Sequence, residues 1–371
     1  MINWANLLFI CLFLFNSSVQ ARSFQAEGSD LMMGVGPKNM ALAGAVVAVS
    51  DDVYAGFWNP AGLSQIKGIN LSVARQLNAK LIPMNFFGAA VSTKLLRKLS
   101  LDSTLAFSFI PRLHVKAEGA FKEDDFESIF IRYALPGLPT NFDGEVDSKT
   151  KDYRFSWGIA PEKNDSWRFG MSISYIECGT RFCGVFARDP DNFTIASTDA
   201  TAWAVHIGGK YHYDDTLTFG FSLKDLNTTL DVETIISDDQ GTRTKIFHTS
   251  FPRDLTLALA WQYTPQIRLS SDLQYMFGHY GNYGIDFRIW RNGISYLSGP
   301  WRYRAGLMIP LLLESEQIEE VEPPLPFTPT VGLSWQRQGF TADLVLYVHP
   351  IMSYQLKKPH PAMDFSLTLD F

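Results

Sequence analysis

Asp254 to Tyr263 reads DLTLALAWQY. Leu255, Leu257, Leu259, Trp261 and Tyr263 are apolar at every second position, and Thr256, Ala258, Ala260 and Gln262 lie between them. Side chains alternate faces along a strand, so this stretch has one large apolar face and one small or polar face. About ten such residues, tipped by Trp and Tyr, suit one pass of a transmembrane β-barrel, with apolar side chains toward lipid and aromatic rings at the membrane surface. A soluble β-sandwich also carries an apolar face, but gives no reason for the aromatic tips.

The same alternation recurs at Trp167, Phe169, Met171, Ile173 and Tyr175, at Trp203, Val205, Ile207 and Tyr211, and at Leu217, Phe219, Phe221 and Leu223. Counted along the chain it gives fourteen runs: 69–77, 84–94, 101–111, 152–160, 166–177, 201–213, 216–225, 253–263, 267–277, 283–290, 301–310, 328–337, 340–348 and 362–371. From the second run on, every other gap is compact, while the alternate gaps include the long ones, 112–151, 178–200, 226–252, 311–327 and 349–361. Membrane barrels have short turns at one end and long loops at the other. The expected fold is therefore all-β, a 14-stranded antiparallel transmembrane β-barrel with both chain ends on the short-turn side. If the apolar set faces lipid, the lumen receives Arg154, Arg168, Lys210, Arg268, Arg302 and Arg304, with carboxylates such as Asp272. Buried charges of mixed sign need partners, so these residues are expected to pair across the lumen. The last run, DFSLTLDF, ends on Phe371. A terminal aromatic on an alternating strand resembles the signal read by the barrel-assembly machinery.

Composition narrows the function classes. The chain has 371 residues, 14% aromatic and 19% charged, with a net charge of −6. Past the N-terminus no stretch of about 18 apolar residues occurs, which excludes helical membrane spans. An acidic balance without basic runs argues against a nucleic-acid partner. G-x-S-x-G, H-E-x-x-H and P-loop motifs are absent from the sequence, and the seven histidines are scattered. His206 and His212 share a strand face but would lie about 20 Å apart. No catalytic residue, metal site or cofactor is expected, and the chain is not expected to be an enzyme.

Residues 1–21 have the form of a secretory signal: an apolar core from Leu7 to Phe15, then Val19-Gln20-Ala21 as a small-residue cleavage site. The n-region lacks Lys and Arg, and Cys11 lies inside the apolar core, which does not fit a lipoprotein. Cys178 and Cys183 remain beyond it, in ECGTRFCG. In an oxidising compartment they can close a small loop as a disulfide, and a reduced pair is the alternative.

Before the first alternating run, Gly34 to Leu63 reads GVGPKNMALAGAVVAVSDDVYAGFWNPAGL. Small residues from Ala41 to Ala48 permit close packing around Gly44. Two carboxylates follow, Asp51 and Asp52, then an aromatic step at Phe57 and Trp58. Asn59, Pro60, Ala61 and Gly62 read as a turn in which Pro60 holds Asn59 extended and Gly62 permits the reversal. A Gly/Ala-rich segment, an acidic pair and Trp-Asn-Pro-Ala-Gly-Leu, placed between a signal peptide and a long β-rich chain, resemble the N-terminal hatch, or plug, of the FadL-type outer-membrane superfamily. That superfamily includes hydrocarbon channels of the TodX kind and PorV-like proteins.

The resemblance implies a signal peptide at 1–21, a hatch at 22–68 and a barrel at 69–371 in a Gram-negative-type outer membrane. Asn59, Pro60, Ala61, Gly62, Asp51 and Asp52 would be the hatch or gating residues, and the acidic pair could meet Arg302 or Arg304. The implied function is passive uptake of hydrophobic small molecules such as long-chain fatty acids or hydrocarbons, with outer-membrane lipid and an apolar ligand as partners. A second reading is a PorV-like component that docks secreted proteins, since AVHIGGKYHYDDTLTFGFSLKDL, from Ala204 to Leu226, resembles PorV-like members at least as well.

Overall fold

Each alternating run forms a strand that pairs antiparallel with the next. In chain order the strands are β1 (Ser23–Glu27), β2 (Ile69–Gln76), β3 (Phe86–Thr93), β4 (Leu101–Phe121), β5 (Phe142–Pro161), β6 (Trp167–Asp189), β7 (Phe193–Ser197), β8 (Ala200–His212) and β9 (Leu217–Leu226). They continue as β10 (Thr229–Asp238), β11 (Gly241–Ser250), β12 (Arg253–Gln262), β13 (Ile267–Tyr280), β14 (Tyr283–Ser298), β15 (Trp301–Ser315), β16 (Thr328–Arg337), β17 (Phe340–Val348) and β18 (Pro361–Asp370). The structure, a computed structural model, describes residues 23–29, 34–77, 79–82, 84–93, 100–121, 142–162, 166–189, 193–197, 200–280, 283–315, 327–350, 352–353 and 358–371. The signal segment therefore lies outside the described residues.

Fourteen strands close into a ring: β2 to β6, β8, β9, and β12 to β18, with β18 paired back onto β2. At the seam the backbones of Phe371 and Ile69 exchange hydrogen bonds of 2.9 and 3.0 Å. Closure pairs the N–H and C=O groups that an open edge would leave bare in hydrocarbon.

Register sorts the side chains. Phe221, Leu257, Leu273 and Trp290 are side by side across four strands, and all are exposed on the outside. The next row, Ala258, Asp272 and Arg291, is buried on the inside. Exposure of 55% at Leu257 against 8% at Ala258 fixes which face meets lipid. Aromatic pairs mark both margins, Trp167 on Tyr211 and Trp261 on Tyr263 near the short turns, and Tyr175 on Trp203 toward the long loops. Trp167 and Tyr175 are about 26 Å apart along β6, close to the height of a membrane barrel's apolar band.

The strands outrun the alternation. β4, β5 and β6 extend over 21, 20 and 23 residues, into stretches that the sequence assigns to loops. The stretch 226–252, also read as a loop, contains the β10–β11 hairpin. Above the membrane both faces of a strand meet water or other chain, so the apolar alternation fades although the hydrogen-bonded ladder continues. β1 pairs with the upper part of β4, from Ser23↔Glu118 to Glu27↔His114, so these residues join the sheet rather than the lumen.

Residues 34–66 lie inside the ring. They form a short helix at Pro37–Met40, another at Ala55–Trp58 and a 3-10 helix at Pro60–Gln65, linked by turns. Val35, Ala45, Val46, Val53, Tyr54, Ala55, Asn59, Ala61 and Leu63 are fully buried.

Candidate functional site

The Asn-Pro-Ala-Gly stretch builds a cap rather than a simple turn. Asn59 is extended at φ −158° and ψ 103°, and Pro60 opens the 3-10 helix. Asn59 Oδ1 accepts from the Ala61 N–H at 3.1 Å, and its Nδ2 donates to the carbonyls of Val47 and Gly209 at 2.8 and 3.0 Å. One side chain thus caps a helix, ties two parts of the segment and anchors both to β8. Gly62 does not serve a reversal, because a Cβ there would collide with the Ser50 carbonyl, so close approach explains it. Gly44 combines a φ of 79° with a Cβ position 2.6 Å from Arg291 Nη1.

The wall makes room for this segment with inward-facing glycines. A Cβ on Gly158 would lie 2.6 Å from the Ser64 N, one on Gly220 2.9 Å from the Ala48 Cα, and one on Gly293 2.9 Å from the Leu42 Cβ. Cβ atoms on Gly170, Gly208, Gly306 and Gly332 would run into Pro60, Asn59, Ala43 and Ala41 respectively. Gly158, Gly170 and Gly208 are register partners on β5, β6 and β8, and form a bare strip under Pro60 and Ala61. Sequence reasoning missed this ring. Its signal was glycine in a strand interior, which marks close backbone approach.

Polar side chains of the wall hold the segment's backbone from several directions. Asp272 Oδ2 accepts from the Val46 and Val47 N–H groups at 2.8 and 2.9 Å. Arg291 donates to the Ala43 carbonyl at 2.8 Å, Arg154 to the Gly56 carbonyl at 3.3 Å, and Lys210 to the Ser50 carbonyl. Arg168 donates to Ser64 Oγ at 3.2 Å. Of the other charges assigned to the lumen, Arg268 is half-buried and donates to Gln262, Arg304 bonds Ser334 and lies 3.9 Å from Asp343, and Arg302 is half-buried at the short-turn end.

Asp51 and Asp52 do not pair with Arg302 or Arg304. Both meet Lys38 of their own segment, each at 2.8 Å. The partner lies 13 residues back, and Lys38 reaches the pair once the segment folds on itself. Burial opposes the Lys38 charge, but the two carboxylates outweigh it and raise the ammonium's pKa. The chain packed around Asp51 disfavours its charge although 41% of its side chain is exposed, and Lys38 reverses this and holds it below the usual carboxylate range. Asp52, buried beside the Asp51 charge, stays above that range.

Further charged residues complete the interior. Arg154 pairs with Asp152 at 2.5 Å, Lys224 with Asp254 at 2.7 Å, and Arg112 grips Asp225 at 2.7 and 3.0 Å. His206 links Ser174, at 2.9 Å, to the Asp225 N–H, at 3.1 Å. Toward the long loops the inner wall also carries apolar clusters, beside buried polar groups such as Arg112 over the Phe251 ring. Ile176, Ala202 and Ala204 pack with Leu230, Val232 and Phe251, and Phe287, Ile289 and Met308 form a second cluster against Ala43.

No family model and no curated protein sequence matches the chain. In structure it is similar to the Ralstonia pickettii toluene transporter TbuX, at 14% identity and a TM-score of 0.58 over 92% of this chain and 99% of that one. It is similar to the P. putida toluene transporter TodX at 13% identity and a TM-score of 0.55, over 92% and 99% of the two chains. A Pseudomonas aeruginosa FadL homologue matches at 11% identity and a TM-score of 0.55, over 94% and 99%. The fold is the FadL-type barrel. Within this FadL-type barrel, Phe371 is exposed beside the seam. Cys178 is buried and disulfide-bonded. The Cys183 side chain lies outside the described residues, and the pairing of the two is a proposal.

Proposed function

We propose that the chain is an outer-membrane channel for passive uptake of hydrophobic small molecules, and that residues 34–66 are its hatch. The observation that carries this reading is the lumen itself. It is occupied by the chain's own small-residue segment, seated on glycines and tied by side chains, below inner-wall clusters that are apolar. Apolar solutes cross a polar lipopolysaccharide leaflet poorly, so a protein serves them by offering an apolar site and a gated way past it. The similarity to barrels described as toluene transporters supports this reading and an apolar ligand, and favours a channel over an enzyme. The barrel-assembly machinery and lipid are its further partners in this account.

The test is accumulation of a fluorescent apolar probe by intact cells with and without the protein. Faster accumulation with the protein, and a rate altered again when Asn59 and Pro60 are both replaced by Ala and the hatch loosens, is the expected result. Equal accumulation in all three strains would reject the reading. A protein-docking role has one specific observation in its favour, the β10–β11 hairpin, where Ile235 and Ile246 are 40% and 57% exposed. Capture of secreted proteins that is lost on shortening this hairpin, with probe uptake absent, would favour that role.

A further inference from the structure

Three cations from separate parts of the wall converge on the two neighbouring aromatic rings of the lumenal segment. Lys224 Nζ lies over both rings, 4.9 Å from the Phe57 centroid and 5.7 Å from the Trp58 centroid. Arg154 lies over Phe57 at 5.4 Å and Arg291 over Trp58 at 6.0 Å. The rings meet edge to face at 5.2 Å, and Trp58 Nε1 donates to the Val35 carbonyl at 2.8 Å. All five residues are buried. The cations keep polar partners as well, Asp254 for Lys224, Asp152 for Arg154 and Gln274 for Arg291. The rings therefore complete coordination shells that carboxylate and amide groups have already begun.

A solute passing this level must displace Phe57 and Trp58. Their departure strips three poorly hydrated cations of the π faces that stabilise them. A solute with an aromatic ring can restore those contacts. A saturated ring of the same size fills the space but presents no π face, and leaves the cations facing hydrocarbon. We propose that Arg154, Lys224 and Arg291 form a binding site for the aromatic face of the solute, which exchanges with the rings of Phe57 and Trp58. The hatch would then yield to aromatic compounds ahead of saturated ones of equal size. This inference rests on the reading of the chain as an uptake channel for apolar solutes.

The test uses the full-length protein in micelles, labelled with 5-fluorotryptophan and observed by fluorine NMR. The signal of Trp58, one of nine tryptophans, is assigned with the Trp58→Phe variant. Titration compares ethylbenzene with ethylcyclohexane. Ethylbenzene is expected to shift the Trp58 signal at a concentration on the order of tenfold lower. In Phe57→Leu, where one π contact of Lys224 is already missing, the ethylbenzene midpoint should fall several-fold while the ethylcyclohexane midpoint stays in place. Equal midpoints for the two probes, in both proteins, would overturn the inference and leave the uptake reading standing. If neither probe perturbs any tryptophan beyond its effect on an unrelated barrel, the uptake reading fails and the inference falls with it.

Discussion

Phe221, Leu257, Leu273 and Trp290 run side by side on the outside of four strands, and Gly220, Ala258, Asp272 and Arg291 run one residue away on the inside. The outer row has one property in common, apolarity, and its one specific side-chain bond among the described residues is from Trp290 Nε1 to Ser271 Oγ at 2.9 Å. Lipid tails ask no more of it. The inner row shares no property. Gly220 leaves space for Ala48, Ala258 packs with Val47 and Ala48, Asp272 holds two backbone N–H groups, and Arg291 holds a carbonyl. The outer face is specified by class of residue, the inner face by position.

That contrast can be broken at several points. The largest effect should come from Arg154→Ala on the inner face, which leaves Asp152 buried and unpaired and should cost about 3–5 kcal/mol in a urea titration from lipid vesicles. A cost under about 1 kcal/mol, within reach of ordinary substitutions, would show that the interior is hydrated enough not to need the pair. On the outer face Leu257→Arg should cost about 2–4 kcal/mol in the same titration if it sits near the bilayer midplane. No cost would place Leu257 outside the apolar band. Gly170→Val should cost about 1–3 kcal/mol by driving a side chain into Pro60, and protease cleavage in residues 34–66 should rise in parallel. Unchanged cleavage would mean that the segment is not seated on the glycine strip. The smallest effect is expected for Leu257→Ile, within about 0.5 kcal/mol. A larger loss would contradict the claim that lipid sets only the class of residue there.

The outer face was legible in the sequence because its signal is local and repeated. Leu255 to Tyr263 announces a strand without reference to any other part of the chain, and fourteen such runs with alternating short and long gaps announce a barrel. The inner face needed the register. Gly158, Gly170 and Gly208 are unremarkable one at a time, and become a strip only when β5, β6 and β8 lie side by side. Arg112 and Asp225 are 113 residues apart, and Arg112 sits at a register shift of β4 that breaks the face rule used to sort inward residues. Strand parity points Asp51 and Asp52 toward distant arginines and says nothing about Lys38 inside the same folded segment, which is their partner. Asn59 was the exception. A short polar side chain before Pro60 favours local capping, and the sequence made it a candidate before any partner was known.

The central claim is that residues 34–66 close the lumen. Single-channel conductance in planar bilayers tests it most directly, comparing the intact protein with a variant lacking residues 23–66 whose barrel is shown to be folded by its resistance to heat on gels. A steady, large conductance is expected for the shortened barrel and little or none for the intact one, with Gly170→Val between them. Equal conductance of the intact and shortened proteins would contradict it.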